Sequence, residues 1–204
     1  MEHVDDELHR QKMVRRKEAF DAKLANATRE KGLLIVHTGA GKGKTTAALG
    51  LMVRALGQGM KVGVVQFIKG AIATGEAALA QRLIAAGLNL EMHTLGEGFT
   101  WETQDRQRDL AAARRGWDKA VALLRDDSFD MVILDELNVV LRYDYLPIDE
   151  VLAELRGKRE MLHVVVTGRN AKPHLVEMAD LVTDMTQIKH PYRGGIKPQR
   201  GIEY

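Results

Sequence analysis

At 204 residues, with 45% hydrophobic and 28% charged residues, the chain has the length of one ordinary domain and the composition of a globular protein. Its formal net charge of +2, with both signs interspersed, gives no electrostatic indication of a nucleic-acid partner. The lack of cysteine excludes disulfides and thiolate metal sites, and no apolar run reaches a membrane-spanning length, so we expect a cytoplasmic protein that binds neither nucleic acid nor membrane.

Residues 1–31 alternate acidic and basic side chains, with Leu8, Met13, Phe20 and Leu24 thinly spaced among them. This pattern is typical of a solvated helix with a narrow apolar edge, and a partly ordered extension is the alternative. We therefore expect a charged N-terminal helical extension over residues 1–31, followed by the main domain over residues 32–204.

Beyond residue 31, short runs of β-forming residues alternate with helical patterns. The runs are apolar on both faces, which is typical of strands in a parallel sheet that is covered by helices on both sides. The sequence therefore predicts an α/β fold with a mostly parallel sheet flanked by helices. The predicted strands are 33–36, 62–67, 131–134 and 164–167, and the predicted helices are 44–56, 75–86, 103–125, 149–155 and 172–179. The Gly/Pro-rich tail from residue 187 predicts a loop or a small hairpin.

The stretch GLLIVHTGAGKGKTTAALG, residues 32–50, predicts a strand, a glycine loop and a helix. The pattern G-x-x-x-x-G-K-[ST] of a P-loop fits the eight residues from Thr38 to Thr45. Gly43, Lys44 and Thr45 match it, and Thr38 stands where the first glycine is usual. A glycine-rich turn without a ligand is the alternative.

Phosphate binding follows from the residue types in this loop. The glycines Gly39, Gly41 and Gly43 allow successive backbone N–H groups to turn towards phosphate oxygens, and the helix N-terminus adds a favourable dipole. Lys44 supplies a positive point charge, and Lys42 is a second lysine that adds to the positive field.

A phosphate site of this kind needs an acidic residue for a metal ion, and the run MVILDELNVV places Asp135 and Glu136 at the end of a buried strand. Either carboxylate is suited to Mg²⁺, directly or through water, and the Thr45 hydroxyl is a further ligand. Two alternatives remain: acids that merely end a strand, and a glutamate that activates water in an ATPase.

Two further stretches are candidates for ligand contact. The run VTGRN places Arg169 at the end of another predicted strand, where it meets phosphate or ribose, or else is a solvated residue in a turn. Phe99 and Trp101, in GEGFTWETQDR, lie two residues apart in a chain with 5% aromatic residues. They serve either the core or a ligand. The histidines show no metal-ligand spacing, so we assign no zinc or iron site.

Several segments together carry a specific resemblance. In chain order they are GAGKGKTTAALG, KVGVVQFIKG, GFTWETQDR, DMVILDEL, YDYLP and VVVTGR. The sequence from about Gly32 to Tyr204 resembles the P-loop type of ATP:corrinoid adenosyltransferase. The P-loop segment is generic, whereas VVQFIKG and GFTW are specific to this family.

The resemblance implies a RecA-like P-loop fold and a homodimer. It also implies transfer of the 5′-deoxyadenosyl group of ATP to the Co(I) of a corrinoid, with release of triphosphate, in adenosylcobalamin biosynthesis or salvage. Mg²⁺, or Mn²⁺ in its place, would assist, and a flavin-type electron donor would reduce the cobalt.

By motif position, the resemblance assigns roles to single residues. It assigns the lower face of the corrin to Phe99 and Trp101 and places Asp135 behind Glu136 at the metal. The phosphates are assigned to Gly41, Gly43, Lys44, Thr45 and Thr46, and the metal to Thr45 and Glu136. We thus take Lys44, Phe99 and Trp101 as the residues that serve catalysis.

One departure is that the chain reads AIATGE after FIKG, without the aromatic residue that some relatives carry. Two other function classes remain in competition. The first is a RecA-like ATPase or small-molecule kinase, in which phosphate bonds break and the ATPase would release ADP and phosphate. The second is a nucleotide-gated binding module without turnover.

Overall fold

In the computed structural model, residues 2–68, 74–95 and 105–203 are described. The chain divides into two compact units, Met1–Lys31 and Gly32–Tyr204. The first unit consists mainly of helix α1, Glu2–Ala25. Its apolar residues Leu8, Phe20 and Leu24 are more than half exposed, as expected for a helix with a narrow apolar edge.

The second unit is built on a six-stranded sheet in which every strand pair is parallel. Its strands are β1 Leu34–Thr38, β2 Val62–Gln66, β3 Leu90–Thr94, β4 Met131–Asp135, β5 His163–Thr167 and β6 Leu181–Asp184. Their spatial order is β3-β2-β4-β5-β1-β6. The carboxyl ends of β1 and β4 therefore lie on the same edge of the sheet, with only β5 between them.

Helices connect successive strands and cover both faces of the sheet. They are α2 Lys44–Gly57, α3 Gly75–Ala85, α4 Arg106–Arg125, α5 Leu137–Arg142, α6 Ile148–Arg156 and α7 Pro173–Met178. The predicted α/β architecture, a mostly parallel sheet flanked by helices, is confirmed. The predicted loop over the tail is confirmed as well, since the described part after β6 contains turns and one 3-10 turn, Pro191–Gly194, and no strand.

Two apolar cores lie on opposite faces of the sheet. One joins alternate residues of the central strands to α4, α5 and α6, with Trp117 and Phe129 fully buried. The other joins the intervening strand residues to α2 and α3, and includes Ile35, Met52 and Ile133. Since side chains alternate between faces along a strand, both sets are apolar in the central strands. Their sequences are therefore continuous apolar runs.

The edge strands β3 and β6 and the short helix α5 were not predicted from the sequence. Every residue of β6 is exposed, and only Leu90 of β3 is buried. Edge strands with one open side need no continuous apolar run, so their sequences lack the signal on which the prediction rests.

Candidate active site

The glycine loop connects the end of β1 to the start of α2. Gly39 and Gly43 have φ angles of 96° and 106°, in the region that L side chains rarely adopt. At Gly39 a side chain would also collide with its surroundings, because a Cβ there would lie 2.2 Å from Oδ1 of Asp184. Gly43 precedes α2 and has no side chain to cap its first turn. The N-terminal amides of α2 are therefore suited to an anion.

Thr38, at the position of the usual first glycine, has a structural role of its own. It is buried at the end of β1, where its Oγ1 accepts a hydrogen bond from the Ala171 N–H at 3.1 Å. Its carbonyl accepts from the Met185 N–H at 2.9 Å. The threonine therefore fastens the loop to the segments after β5 and β6. Gly41 is fastened in the same way, since its N–H donates to the Met185 carbonyl at 2.6 Å. In this conformation the Gly41 amide therefore holds the loop against the segment after β6.

Lys44 is the buried cation of the loop, with 5% of its surface exposed. Its Nζ donates to the Gly39 carbonyl at 2.9 Å and to the Gly41 carbonyl. Burial lowers the pKa of this ammonium, and the nearby cations Arg169 and Lys42 lower it further, against the opposing effect of Glu136 and Asp184. An anion arriving at the loop would compensate the buried charge.

Asp135 ends β4 with a carboxylate that is 1% exposed. Its Oδ1 accepts hydrogen bonds from the hydroxyls of Thr45, at 2.8 Å, and Thr167, at 2.7 Å. Its Oδ2 accepts from Nε2 of Gln66 at 3.0 Å. A buried carboxylate needs such donors to offset its lost hydration. Asp135 is thus bonded directly to Thr45, the threonine of the glycine loop.

Glu136 follows in a left-handed conformation with φ 65°, which turns the chain directly into α5. Its N–H donates to the Thr167 hydroxyl at 2.9 Å. Its carboxylate lies beside Gly168, where a Cβ would come within 3.2 Å of Oε2. It is also close enough to Lys44 to raise the pKa of that ammonium. Glu136 thus faces the same loop from the other side of β5.

Three of the remaining candidates lie in or near the glycine loop. Arg169 is exposed and lies within electrostatic reach of Lys44. Lys42 is exposed and pairs with the carboxylate of Glu203. Thr46 is exposed in the first turn of α2. Phe99 and Trp101 lie outside the described residues.

The sequence did not identify Gln66 and Thr94 as parts of the site. Gln66 is the polar last residue of the apolar run VGVVQ, and it is 1% exposed. A polar residue that ends a buried strand, at the edge where Asp135 also ends one, is the signal that could have found it.

A divalent metal fits the donors at this centre. Within residues 2–68, 74–95 and 105–203 no group of three His, Cys, Asp or Glu could hold a metal ion. Mg²⁺ at nucleotide phosphates needs fewer protein ligands, because water and phosphate oxygens complete its shell. The Thr45 hydroxyl and the Asp135 carboxylate are hard oxygen donors of the required kind.

Comparison with known proteins gives a consistent result. Residues 30–204 match the family model described as ATP:corrinoid adenosyltransferase BtuR/CobO/CobP. The chain is 52% identical to a corrinoid adenosyltransferase of Pseudomonas aeruginosa, over 98% of this chain and 97% of that protein. It is 53% identical to one of a Sinorhizobium species, over 98% and 93%. It is 45% identical to one of Escherichia coli K12, over 98% and 100%.

Among solved structures, the chain is similar to that of the RadB recombinase. The two are 16% identical, over 79% of this chain and 77% of the other, with a TM-score of 0.46. That score is too low to support a conclusion about fold or function. In the described part of the chain, no helix is long and apolar enough to span a membrane.

Proposed function

We propose the following reaction for this chain, which is a member of the ATP:corrinoid adenosyltransferase BtuR/CobO/CobP family and therefore an ATP:corrinoid adenosyltransferase. The chain moves the 5′-deoxyadenosyl group of ATP to the Co(I) of a corrinoid and releases triphosphate. The observation that carries the proposal is the bond between Thr45 of the glycine loop and Asp135 of β4. A hydroxyl, a carboxylate and the Lys44 ammonium therefore lie at the same edge of the sheet. The family match over residues 30–204 includes all three.

We assign the triphosphate to the glycine loop and the start of α2. A negative ligand would meet hydrogen-bond donors and positive charge there. They come from the backbone of Gly39 and Gly43, the amides of Thr45 and Thr46, and the ammonium of Lys44. Gly41 belongs to the same loop. Lys42 and Arg169 add positive charge from its exposed rim. The positive φ angles of Gly39 and Gly43 and the buried position of Lys44 support this assignment.

We assign Mg²⁺, with Mn²⁺ as the alternative, to the Thr45 hydroxyl and to Asp135 and Glu136. When bound, the ion supplies positive charge that stabilises the departing triphosphate. Support comes from the donor set alone, since Asp135 is bonded to Thr45 and Glu136 lies near Lys44.

The reaction requires little acid–base catalysis by the protein. Cobalt in the Co(I) state is a strong nucleophile. Its electron pair forms the bond to the ribose 5′-carbon while the C–O bond to the triphosphate breaks and that oxygen keeps its electron pair. No proton needs to be removed, so the protein aligns the two substrates and neutralises the leaving group. Lys44 carries out the second task from within the loop.

We assign Phe99 and Trp101 to the lower face of the corrin. Apolar rings there would exclude water and displace the lower axial ligand, which eases reduction of Co(II) to Co(I). In Phe99→Ala and Trp101→Ala we expect a large loss of activity from cob(II)alamin with a flavin-type reductant. Activity from pre-reduced cob(I)alamin should fall much less, and ATP affinity should stay unchanged. Equal activity of both variants and the wild type from Co(II) would contradict the assignment.

We further propose a cytoplasmic homodimer, with residues 32–204 as the catalytic domain and residues 1–31 as an extension. The division of the chain at residue 31 supports the domain assignment. Light scattering of the purified chain tests the dimer, and a monomer at micromolar concentration would contradict it.

The experiment that tests the function follows both products. The protein is incubated with ATP, Mg²⁺ and chemically reduced cobalamin, with Lys44→Ala as the matched control. We expect the visible spectrum of an alkylated corrinoid to appear together with intact triphosphate. ADP and phosphate without a corrinoid product would instead indicate the ATPase or kinase, and binding without turnover would indicate the nucleotide-gated module.

A further inference from the structure

A row of polar side chains crosses the carboxyl edge of the sheet on the face that α2 and α3 cover. In the strand register, Gln66 of β2 pairs with Thr94 of β3 on one side and with Asp135 of β4 on the other. Residues at equal height in neighbouring parallel strands project to the same face. The row therefore runs from the edge strand β3 to the acid that bonds Thr45.

Gln66 bonds both neighbours through its amide. Its Nε2 donates to Oδ2 of Asp135 at 3.0 Å, and its Oε1 accepts from the Thr94 hydroxyl at 3.0 Å. The opposite amide orientation would set an oxygen against the Asp135 carboxylate. Because Gln66 and Asp135 are each 1% exposed, bulk water does not replace the bond between them, whereas Thr94 lies at the exposed end of β3. The amide thus has one favourable orientation, and the hydrogen bond from the Thr94 hydroxyl to Oε1 stabilises it.

The two oxygens of Asp135 receive different donors. Oδ1 takes the hydroxyls of Thr45 and Thr167, whereas Oδ2 takes the Gln66 amide. Rotation of the carboxylate that moved Oδ1 away from Thr45 would also break the bond to Gln66. Gln66 therefore opposes the motion that would disconnect Asp135 from the glycine loop.

We propose that Gln66, held by Thr94, is a positioning residue that fixes the Asp135 carboxylate towards Thr45 and thereby sets the affinity for metal-bound ATP. The inference rests on the proposed metal site at Thr45 and Asp135. Residues that orient metal ligands without touching the metal typically change metal affinity by about 10- to 100-fold when they are replaced.

The variants remove one bond at a time. Gln66→Met keeps an unbranched side chain of similar length and removes the amide. Thr94→Val keeps the branched shape and removes the hydroxyl, and Thr94→Ser keeps the hydroxyl as the matched control. Calorimetry measures ATP binding as Mg²⁺ is titrated, and again with the metal chelated.

We expect Gln66→Met to raise the Mg²⁺ concentration for half-maximal ATP binding by about 10- to 100-fold, with metal-free ATP affinity unchanged. Thr94→Val should shift it in the same direction by less, and Thr94→Ser should behave as the wild type. The KM for corrinoid should stay constant in all three. A purely structural role would instead change metal-free ATP binding and the melting temperature together.

A folded Gln66→Met variant that titrates as the wild type overturns the inference. If Gln66→Met does not fold, Thr94→Val decides, and a wild-type titration in that variant overturns the inference as well. If ATP binding by the wild-type protein does not depend on Mg²⁺, the proposed metal site fails, and the positioning role with it. A metal-dependent wild type with unshifted variants refutes the positioning role alone.

Discussion

Lys44 carries the charge that the proposed triphosphate site needs. It is buried, and burial lowers the pKa of its ammonium, so a bound anion would stabilise the charged form. In Lys44→Ala we expect kcat/KM for ATP to fall by at least about tenfold, or about 1.4 kcal/mol. Steady-state kinetics with saturating cob(I)alamin measures it. Lys42→Ala is the control with an exposed lysine of the same loop, and it should lose less. Wild-type kinetics in Lys44→Ala would contradict the assignment of the loop.

Glu136 and Asp135 are adjacent in sequence, but their carboxylates lie in different surroundings. Asp135 is bonded to Thr45, whereas Glu136 lies beside Gly168 and near Lys44. Glu136→Gln keeps the size of the side chain and removes its charge. We expect the Mg²⁺ concentration for half-maximal activity to rise by about tenfold or more. An unchanged metal titration in Glu136→Gln, together with a shifted one in Asp135→Asn, would leave Asp135 as the acid at the metal.

At the scale of elements, the central strands were predictable because a strand that is buried on both faces has a continuous run of apolar residues. The edge strands β3 and β6 lack that pattern, since they are largely exposed. Helix α5 is only six residues long and starts after a left-handed Glu136 without a side-chain cap, so neither length nor a capping residue indicated it.

The candidate site could be predicted from the sequence only in part. Lys44, Thr45 and Asp135 belong to short patterns whose chemistry is local in sequence. The bond from Gln66 to Asp135 depends on the strand order β3-β2-β4, which brings together residues that are 69 positions apart. The spacing of residues in the sequence does not reveal the order of the strands. A polar residue at a strand end, such as Gln66, can therefore be recognised from the sequence, but its partner cannot.

Strand β5 begins with a histidine whose protonation would weaken the fold. The Leu33 N–H donates to Nδ1 of His163 at 3.1 Å, and this acceptor is lost when the ring is protonated. Burial, and to a lesser degree the charge of Lys158, lower the pKa of His163 in the folded state, against the opposing effect of Asp130. The unfolded chain, with a histidine pKa of about 6.5, then binds protons more readily. Stability is therefore full above about pH 6.5 and decreases as the pH falls through the folded pKa.

We expect the urea midpoint of unfolding to decrease between pH 7 and pH 5, and to decrease less in His163→Asn. Asparagine retains an acceptor near the position of Nδ1 and does not titrate. Burial lowers the pKa of His37 as well, so the single variant should remove only part of the pH dependence. An identical pH dependence in the variant and the wild type would show that His163 remains uncharged, or equally charged, in both states.

At the scale of the whole molecule, the chain divides into the unit Met1–Lys31, which consists mainly of α1, and the unit Gly32–Tyr204, to which we assign catalysis. The sheet with its two cores lies entirely within Gly32–Tyr204, so folding of this unit does not need the apolar surface of α1. Leu8, Phe20 and Leu24 are 60%, 64% and 61% exposed. Exposed apolar side chains on an otherwise charged helix are suited to covering a ligand or a second subunit.

Deletion of residues 1–28 should therefore raise the KM for corrinoid by about tenfold, the factor that corresponds to about 1.4 kcal/mol, and leave the KM for ATP unchanged. The melting temperature of the Gly32–Tyr204 unit should shift by less than about 2 °C, since no residue of either core is removed. In the full chain, Leu8→Ser combined with Phe20→Ser should reproduce the KM change, whereas Lys12→Gln combined with Lys17→Gln should not. Kinetics of the four proteins with cob(I)alamin, beside their thermal unfolding, separates the outcomes. A large loss of stability with unaltered kinetics would instead make α1 a structural element of the fold and would contradict a role of its apolar side chains in corrinoid binding.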